Sequence, residues 1–589
     1  MSIERSEPTF GRVSRLKGTV FEYLSLGASV TGIVALGVLL IYVAIDAFDL
    51  VNASPEWLLT YYVTLVLPLI GFCLYSANDR SLIRRTAFAL GGGLVAMALT
   101  FSVVESFVRP IPRLTWQVAY LFVVVAPVTA YVVFVGSREP IGRTGFGLVG
   151  RVLGGTALGL SLIILFTVFD ERLWFLAYTL GVLPAVGVLA YSRVNPSSPV
   201  SLLPVPVALV GFVAASVLRG PVDVYPTAWL IYVWTLVVPV SAIIAGLTAQ
   251  RDGETKQTAA IAGVAAFALI GGGSLAAGSL GVSSEHALLV LLGSGVPTVM
   301  FGRRVVASDT GRVGLFLPVL LVGGALAGAL IAESFGFPAP DPWLDASFVT
   351  SSPSRMPERA GLYPAIVGSV LVIAFVALLS FVLGVGSAVF LEEYTVESGV
   401  VGATTRLIQI NIANLAAVPS VVYGLLGLGL FANLLGLGFG SVVTAALTLS
   451  LLILPITVIS AQEAIRSVPD HLRQGSYAMG ATRWQTTKNV VLPEALPGIF
   501  TGTILALGRA IGETAPLIMI GAAHTVFSPP NGIWSKISAM PMQIFVWSDF
   551  PQAEFRYGVL AAGVVTLLIV LLGMNATAII LRNKYESGV

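Results

Sequence analysis

Apolar residues run through this chain in long blocks rather than alternating or recurring on one face. A block of about 20 apolar residues with few charges has the length of a membrane-crossing helix. Breaks at charged residues and at Pro, Gly and Asn clusters separate sixteen such blocks. They lie near 20–45, 57–77, 86–107, 116–136, 146–168, 172–192, 200–219, 227–249, 258–279, 284–301, 313–333, 363–390, 403–433, 440–462, 494–522 and 556–581. The pattern predicts an all-α polytopic membrane protein, because lipid leaves each spanning helix to satisfy its own backbone groups.

The polar breaks orient this stack. With the N-terminus in the cytoplasm and spans alternating, cytoplasmic segments hold 23 of the 32 Lys and Arg and outer segments hold 8, with Arg509 left inside a span. Acidic residues divide evenly, 15 inside and 14 outside, with Glu513 within a span. That split is the expected bias, which concerns Lys and Arg. Both termini are therefore expected in the cytoplasm of a cell-membrane, multi-pass protein. The run after Arg5, Arg12, Arg15 and Lys17 lacks a small-residue cleavage site and reads as a first span rather than a signal peptide.

Composition sharpens the picture. Of 589 residues 56% are apolar and 11% charged, against about 25% charged in soluble domains. A net charge of +2 with no basic face excludes a nucleic-acid partner. Cys73 stands alone, so no disulfide framework exists. His286, His471 and His524 have no metal-ligand spacing, so neither metal nor cofactor is expected.

The first half repeats. Proline recurs late in alternate spans at Pro68, Pro127, Pro184, Pro239 and Pro297, at intervals of 59, 57, 55 and 58 residues. Trp57, Trp116, Trp174 and Trp229 stand ten or eleven residues before the first four, and His286 takes that place in the fifth. A basic turn follows each proline, among them Asn78-Asp79-Arg80, Gln250-Arg251-Asp252 and Gly302-Arg303-Arg304. A glycine-rich span then returns, as at Gly91-Gly92-Gly93, Gly154-Gly155, Gly271-Gly272-Gly273 and Gly323-Gly324. Such a period marks a repeated pair of antiparallel helices. The Trp rings fall at the expected outer interface, and no intramembrane charge in 20–301 points to a substrate path. Residues 1–312 therefore read as a structural membrane module, and 313–589 as a second domain.

That second domain carries the motifs. Leu391-Glu392-Glu393-Tyr394 closes a span, and Val418-Pro419-Ser420 with Tyr423-Gly424 interrupts the next. Pro and repeated Gly within a span allow local unwinding beside a pathway. The cytoplasmic segment 463–493 holds short amphipathic stretches with Tyr477, Met479 and Trp484 beside Arg473 and Arg483, and Gly480 divides them. A helix of this kind suits docking into a groove on a partner. The interval from Gly480 through Val490 to Leu492-Pro493 resembles the "EAA" loop of ABC-importer permeases. Gln474-Gly475-Ser476 stands where that loop has Glu-Ala-Ala. The resemblance implies that Gly475, Ser476, Gly480, Ala481, Thr482, Arg483, Trp484, Leu492 and Pro493 belong to an ATPase-coupling loop.

Leu507-Gly508-Arg509-Ala510-Ile511-Gly512-Glu513-Thr514-Ala515-Pro516-Leu517 is similar to the phosphate-specific permeases of the PstA type. The likeness covers roughly 313–589 and implies a six-helix ABC-importer permease fold. It further implies an ATP-binding subunit, a second permease subunit as heterodimer partner, and an extracytoplasmic phosphate-binding protein, all meeting within membrane lipid. Charges deep in a span are rare and usually functional. Arg509 and Glu513 are four apart, hence one turn apart on one helix face. Gly498, Gly502, Gly512 and Pro516 fall on the same arc. Arg509 is expected to meet a passing oxyanion, whose geometry a guanidinium matches in bidentate fashion, with Glu513 holding it in place. The chain contains no Gly-Lys dipeptide, hence no Walker A loop, so it is read as a permease and not an enzyme. Sulfate, molybdate or tungstate transport, a secondary transporter and a membrane sensor are the alternatives. A secondary transporter would carry ionisable groups in both repeated halves.

Overall fold

The computed structural model describes residues 15–586 except 108–109, 169, 195–202, 251–254, 280, 309–310, 396–398 and 523–524. Arg5, Arg12, the Arg251-Asp252 turn and His524 lie outside the described residues. The architecture is all-helical. Before the loop that follows Phe335 lie α1 (Arg15–Ala47), α2 (Pro55–Ala77), α3 (Arg80–Phe107), α4 (Arg113–Gly136), α5 (Pro140–Val168), α6 (Glu171–Ser192), α7 (Pro204–Leu218), α8 (Ala228–Ala249), α9 (Lys256–Gly278), α10 (Ser284–Ser308) and α11 (Arg312–Phe335). There follow α12 (Tyr363–Tyr394), α13 (Gly402–Ala416), α14 (Ser420–Leu434), α15 (Val442–Arg466), α16 (Asp470–Ala478), α17 (Arg483–Ile511), α18 (Ala515–Met519), α19 (Met540–Ser548) and α20 (555–586). Fourteen helices are long and apolar enough to cross a membrane, or fifteen when the bent pair α13–α14 counts as one. The expected span at 200–219 appears as the shorter α7, of 15 residues.

The repeat has a backbone signature. In α2, α4, α6 and α8 the residue before the proline donates its N–H to the carbonyl five residues back: Leu67 to Tyr62, Ala126 to Leu121, Leu183 to Tyr178 and Val238 to Val233. Proline lacks an N–H and its ring crowds the carbonyl of residue i−4. One widened turn relieves that crowding without ending the helix. Pro297 in the fifth unit lies inside α10 with no such turn. The same device opens α17, where Leu492 donates to Thr487 ahead of Pro493.

The glycines sit where helices cross. A Cβ on Gly155 of α5 would come 2.4 Å from Ser294 Cα of α10, and one on Gly324 of α11 would come 2.3 Å from the Thr64 carbonyl of α2. Only glycine permits such approach. α11 therefore closes the fifth unit back onto the first, and it also packs against α5. The expected division at 312–313 falls between the two helices of that fifth unit. Trp174 Nε1 donates to Thr235 Oγ1 at 3.0 Å and Trp229 Nε1 to Ser274 Oγ at 2.9 Å, linking the repeat's tryptophans to neighbouring helices. Arg151 departs from the expectation of a charge-free module. It lies three turns into α5, donates to the Gly147 carbonyl at 2.7 Å and stacks 3.8 Å over Phe301.

The largest buried cluster lies in the second half, where α12, α15, α17, α19 and α20 meet around Leu449, Ile453, Trp547 and Phe555. α1 lies against α20, at the far end of the sequence, and the Ala47 carbonyl accepts from Leu344 N at 3.1 Å.

Candidate functional site

Two helices of the second half are broken, where the hydropathy pattern predicts straight spans. α13 and α14 meet at 109° around Ala417-Val418-Pro419. Proline disfavours the helical conformation in the residue before it and offers no N–H of its own. Tyr423 OH donates to the Leu415 carbonyl at 2.7 Å, supplying a partner that the interrupted ladder lacks. The expected span 494–522 is likewise not one helix: α17 stops at Ile511, and Gly512 and Glu513 donate back to Arg509 and Ala510.

The depth of this second break follows from packing. Cβ atoms on Gly498 and Gly502 would meet Ala464 and Ser460 of α15 at 2.9 and 2.2 Å, so the two helices run antiparallel in close contact. Counting from that register, Ile511 stands opposite Leu451. That is nine residues from the start of α15 at Val442, or about 13 Å. α17 thus ends near the middle of the layer. Non-helical backbone at that depth persists where it is buried in protein or lines a cavity, and both breaks are packed on each other. A Cβ on Gly424 of α14 would come 2.7 Å from Pro516 Cα and from Met519 Cβ of α18.

Arg509 and Glu513 stand at this junction. Nε of Arg509 donates to Oε1 of Glu513 at 3.1 Å, and their side chains are 47% and 16% exposed. The pair survives the end of the helix because Glu513 N still reaches the Ala510 carbonyl, at 3.3 Å. Among the described residues, Nη1 and Nη2 of Arg509 have no hydrogen-bond partner. Gly498 and Gly502, expected on the same face as the charges, are instead taken up by contact with α15, and Pro516 by contact with α14. Sequence reasoning missed Asn575 of α20, whose Oδ1 is buried with no hydrogen-bond partner among the described residues and lies 4.0 Å from where a Gly508 Cβ would stand. A lone amide inside the apolar run 556–581 was the available signal.

The loop 463–493 is built as a braced hairpin. Arg466 donates Nε and Nη2 to the two carboxylate oxygens of Glu392, at 2.8 and 2.7 Å, and Gln462 adds a third bond. Arg473 of α16 pairs with Glu393 at 3.2 Å, their side chains 17% and 8% exposed, and also donates to the Ile465 and Val468 carbonyls. Gly480 turns the chain at φ +82°, a region costly for residues with a Cβ. Thr482 and Gln485 then cap α17 reciprocally. Ser476 Oγ lies 2.8 Å from Thr486 Oγ1, holding α16 against the start of α17. Gly475 has open space around it, Ala481 is half-buried, and Leu492 and Pro493 lead into the span. Arg483, Trp484, Tyr477 and Met479 project outward, Met479 being 85% exposed. Among the described residues no three His, Cys, Asp or Glu side chains converge as a metal site would require.

Residues 394–584 match the family described as "Binding-protein-dependent transport system inner membrane component". A "Phosphate transport system permease protein PstA 1" of Mycobacterium tuberculosis is 34% identical over 230 residues, 38% of this chain and 73% of that protein. A "Probable ABC transporter permease protein YqgI" of Bacillus subtilis is 37% identical over 182 residues, 31% of this chain and 60% of that protein's length. Among solved structures, an inward-facing MetNI methionine ABC transporter aligns with 38% of this chain and 95% of its own, at 18% identity and a TM-score of 0.32. The family match and the 34% identity to a phosphate permease covered over 73% of its length carry the assignment: the chain belongs to the inner-membrane components of binding-protein-dependent ABC transport systems, as a permease of the PstA type.

Proposed function

We propose that this chain passes inorganic phosphate from an external binding protein into the cytoplasm, as one permease of a heterodimer driven by a separate ATP-binding subunit. The observation that carries the reading is Arg509 at a mid-depth helix break, its side chain 47% exposed, with Nε held by Glu513 and no hydrogen bond from its two terminal nitrogens among the described residues. Two parallel N–H donors suit two oxygens of a tetrahedral oxyanion. Glu513 fixes the guanidinium and keeps the empty site near neutral, which limits the cost of a charge at that depth. Tyr477, Met479 and Trp484 form the docking face for the ATP-binding subunit, and both termini lie in the cytoplasm. Residues 1–312 are an added module outside the path.

The test exchanges the pair, Arg509→Glu with Glu513→Arg. A neutral ion pair is kept while the cation moves by about one turn, some 5 Å along the axis. Phosphate uptake by correctly assembled protein is expected to fall to background, as for Arg509→Gln; near-normal uptake would reduce the pair to a structural bridge. The Bacillus subtilis relative's description names no substrate, and sulfate, molybdate and tungstate share the tetrahedral shape. Competition by these anions against phosphate uptake separates them, and equal competition would remove phosphate from the proposal.

A further inference from the structure

The first module contains a crevice that transport does not use. It lies between α8, α9 and α10 and encloses about 480 Å³. Ile244, Ala262, Ala266, Leu269, Val296 and Met300 make its wall apolar, and Arg303 and Arg304 stand at its mouth. From Val296 to Arg304 at the mouth, α10 rises about 12 Å. That is most of one leaflet of a hydrocarbon core about 30 Å thick. The cleft therefore has room for most of one acyl chain and places its arginines towards headgroup level.

The charge at the mouth is larger than two residues. On the flank of α10 turned to α5, Arg151 stacks on Phe301. Arg304 stands three residues beyond Phe301 on α10, on the neighbouring turn. Like charges held together at a membrane edge favour an anion, and a basic pocket between helices suits a lipid phosphate. An inorganic anion would leave the apolar cleft empty, whereas a phospholipid satisfies both parts.

We propose that this crevice binds an anionic phospholipid, one acyl chain in the cleft and the headgroup phosphate on Arg303 and Arg304. The chain, purified whole in detergent, is titrated with phosphatidylglycerol or phosphatidylcholine, and retained lipid is read by native mass spectrometry. Phosphatidylglycerol is expected to be retained about thirtyfold better, the worth of two basic side chains near a lipid surface. Arg303→Gln with Arg304→Gln should bring the two lipids to parity while leaving phosphatidylcholine retention unchanged. Ala265→Phe, at an exposed position in the crevice wall, should lower retention of both with the arginines intact. Equal retention by the unaltered chain, a preference that persists in the double variant, or full retention in Ala265→Phe would each overturn the proposal. Displacement of the lipid by inorganic phosphate would overturn it too, by making the site one for a free ion.

Discussion

The two halves of this molecule use the same devices to different ends. In α2, α4, α6 and α8 a proline follows a widened turn and the helix continues. At Pro419 the helix bends by 109°, and at Gly512 another stops. Proline alone therefore does not break a span. What differs is the company it keeps: Tyr423 supplies the Leu415 carbonyl with a donor, and glycines let α14 meet α18 at backbone distance. A break forms where side chains are present to satisfy what it frees. The same contrast holds for charge. Arg151 folds back to its own helix and a ring, whereas among the described residues the two terminal nitrogens of Arg509 make no hydrogen bond.

The contrast can be broken by experiment, beginning where the effect is greatest. The Arg509–Glu513 exchange should abolish uptake with little loss of folded protein. Arg473→Ala should come next, because it strands the buried Glu393 carboxylate at a cost on the order of 3 kcal/mol. Lower thermal stability together with lost binding of the ATP-binding subunit is expected, and unchanged co-purification would show that the brace does not position the loop. Gly155→Leu drives a side chain into Ser294 of α10 and should cost about 1–3 kcal/mol. Uptake per folded molecule should stay normal, and selective loss of uptake would bring the first module into the path. Trp174→Phe, which removes one hydrogen bond to Thr235, should cost about 1 kcal/mol and leave uptake intact.

Much of this was legible because length and polarity are local properties. The apolar blocks and the helices correspond along the chain, and the Arg509–Glu513 pair was readable from its spacing of four. Hydropathy does not register a bend, so 403–433 and 494–522 read as unbroken; Pro419 marked the first interruption, while nothing as plain marked Gly512. The Arg473–Glu393 brace spans 80 residues and joins separate helices, so no local pattern announces it. Gly498 and Gly502 were read on the face of the charges, yet α15 occupies that position, and only packing reveals this neighbour.

The contact of α1 with α20 ties together two helices made far apart in time. At about 5–20 residues per second, the 508 residues between Ala47 and Phe555 take roughly half a minute to a minute and a half to synthesise. For that interval α1 has been inserted and its eventual neighbour does not yet exist. Its surface from Gly18 to Gly32 remains exposed even in the finished fold, so this helix is suited to waiting in lipid. Until the ribosome reaches α20, the end of α1 can meet Leu344 but its helical neighbour is not yet there.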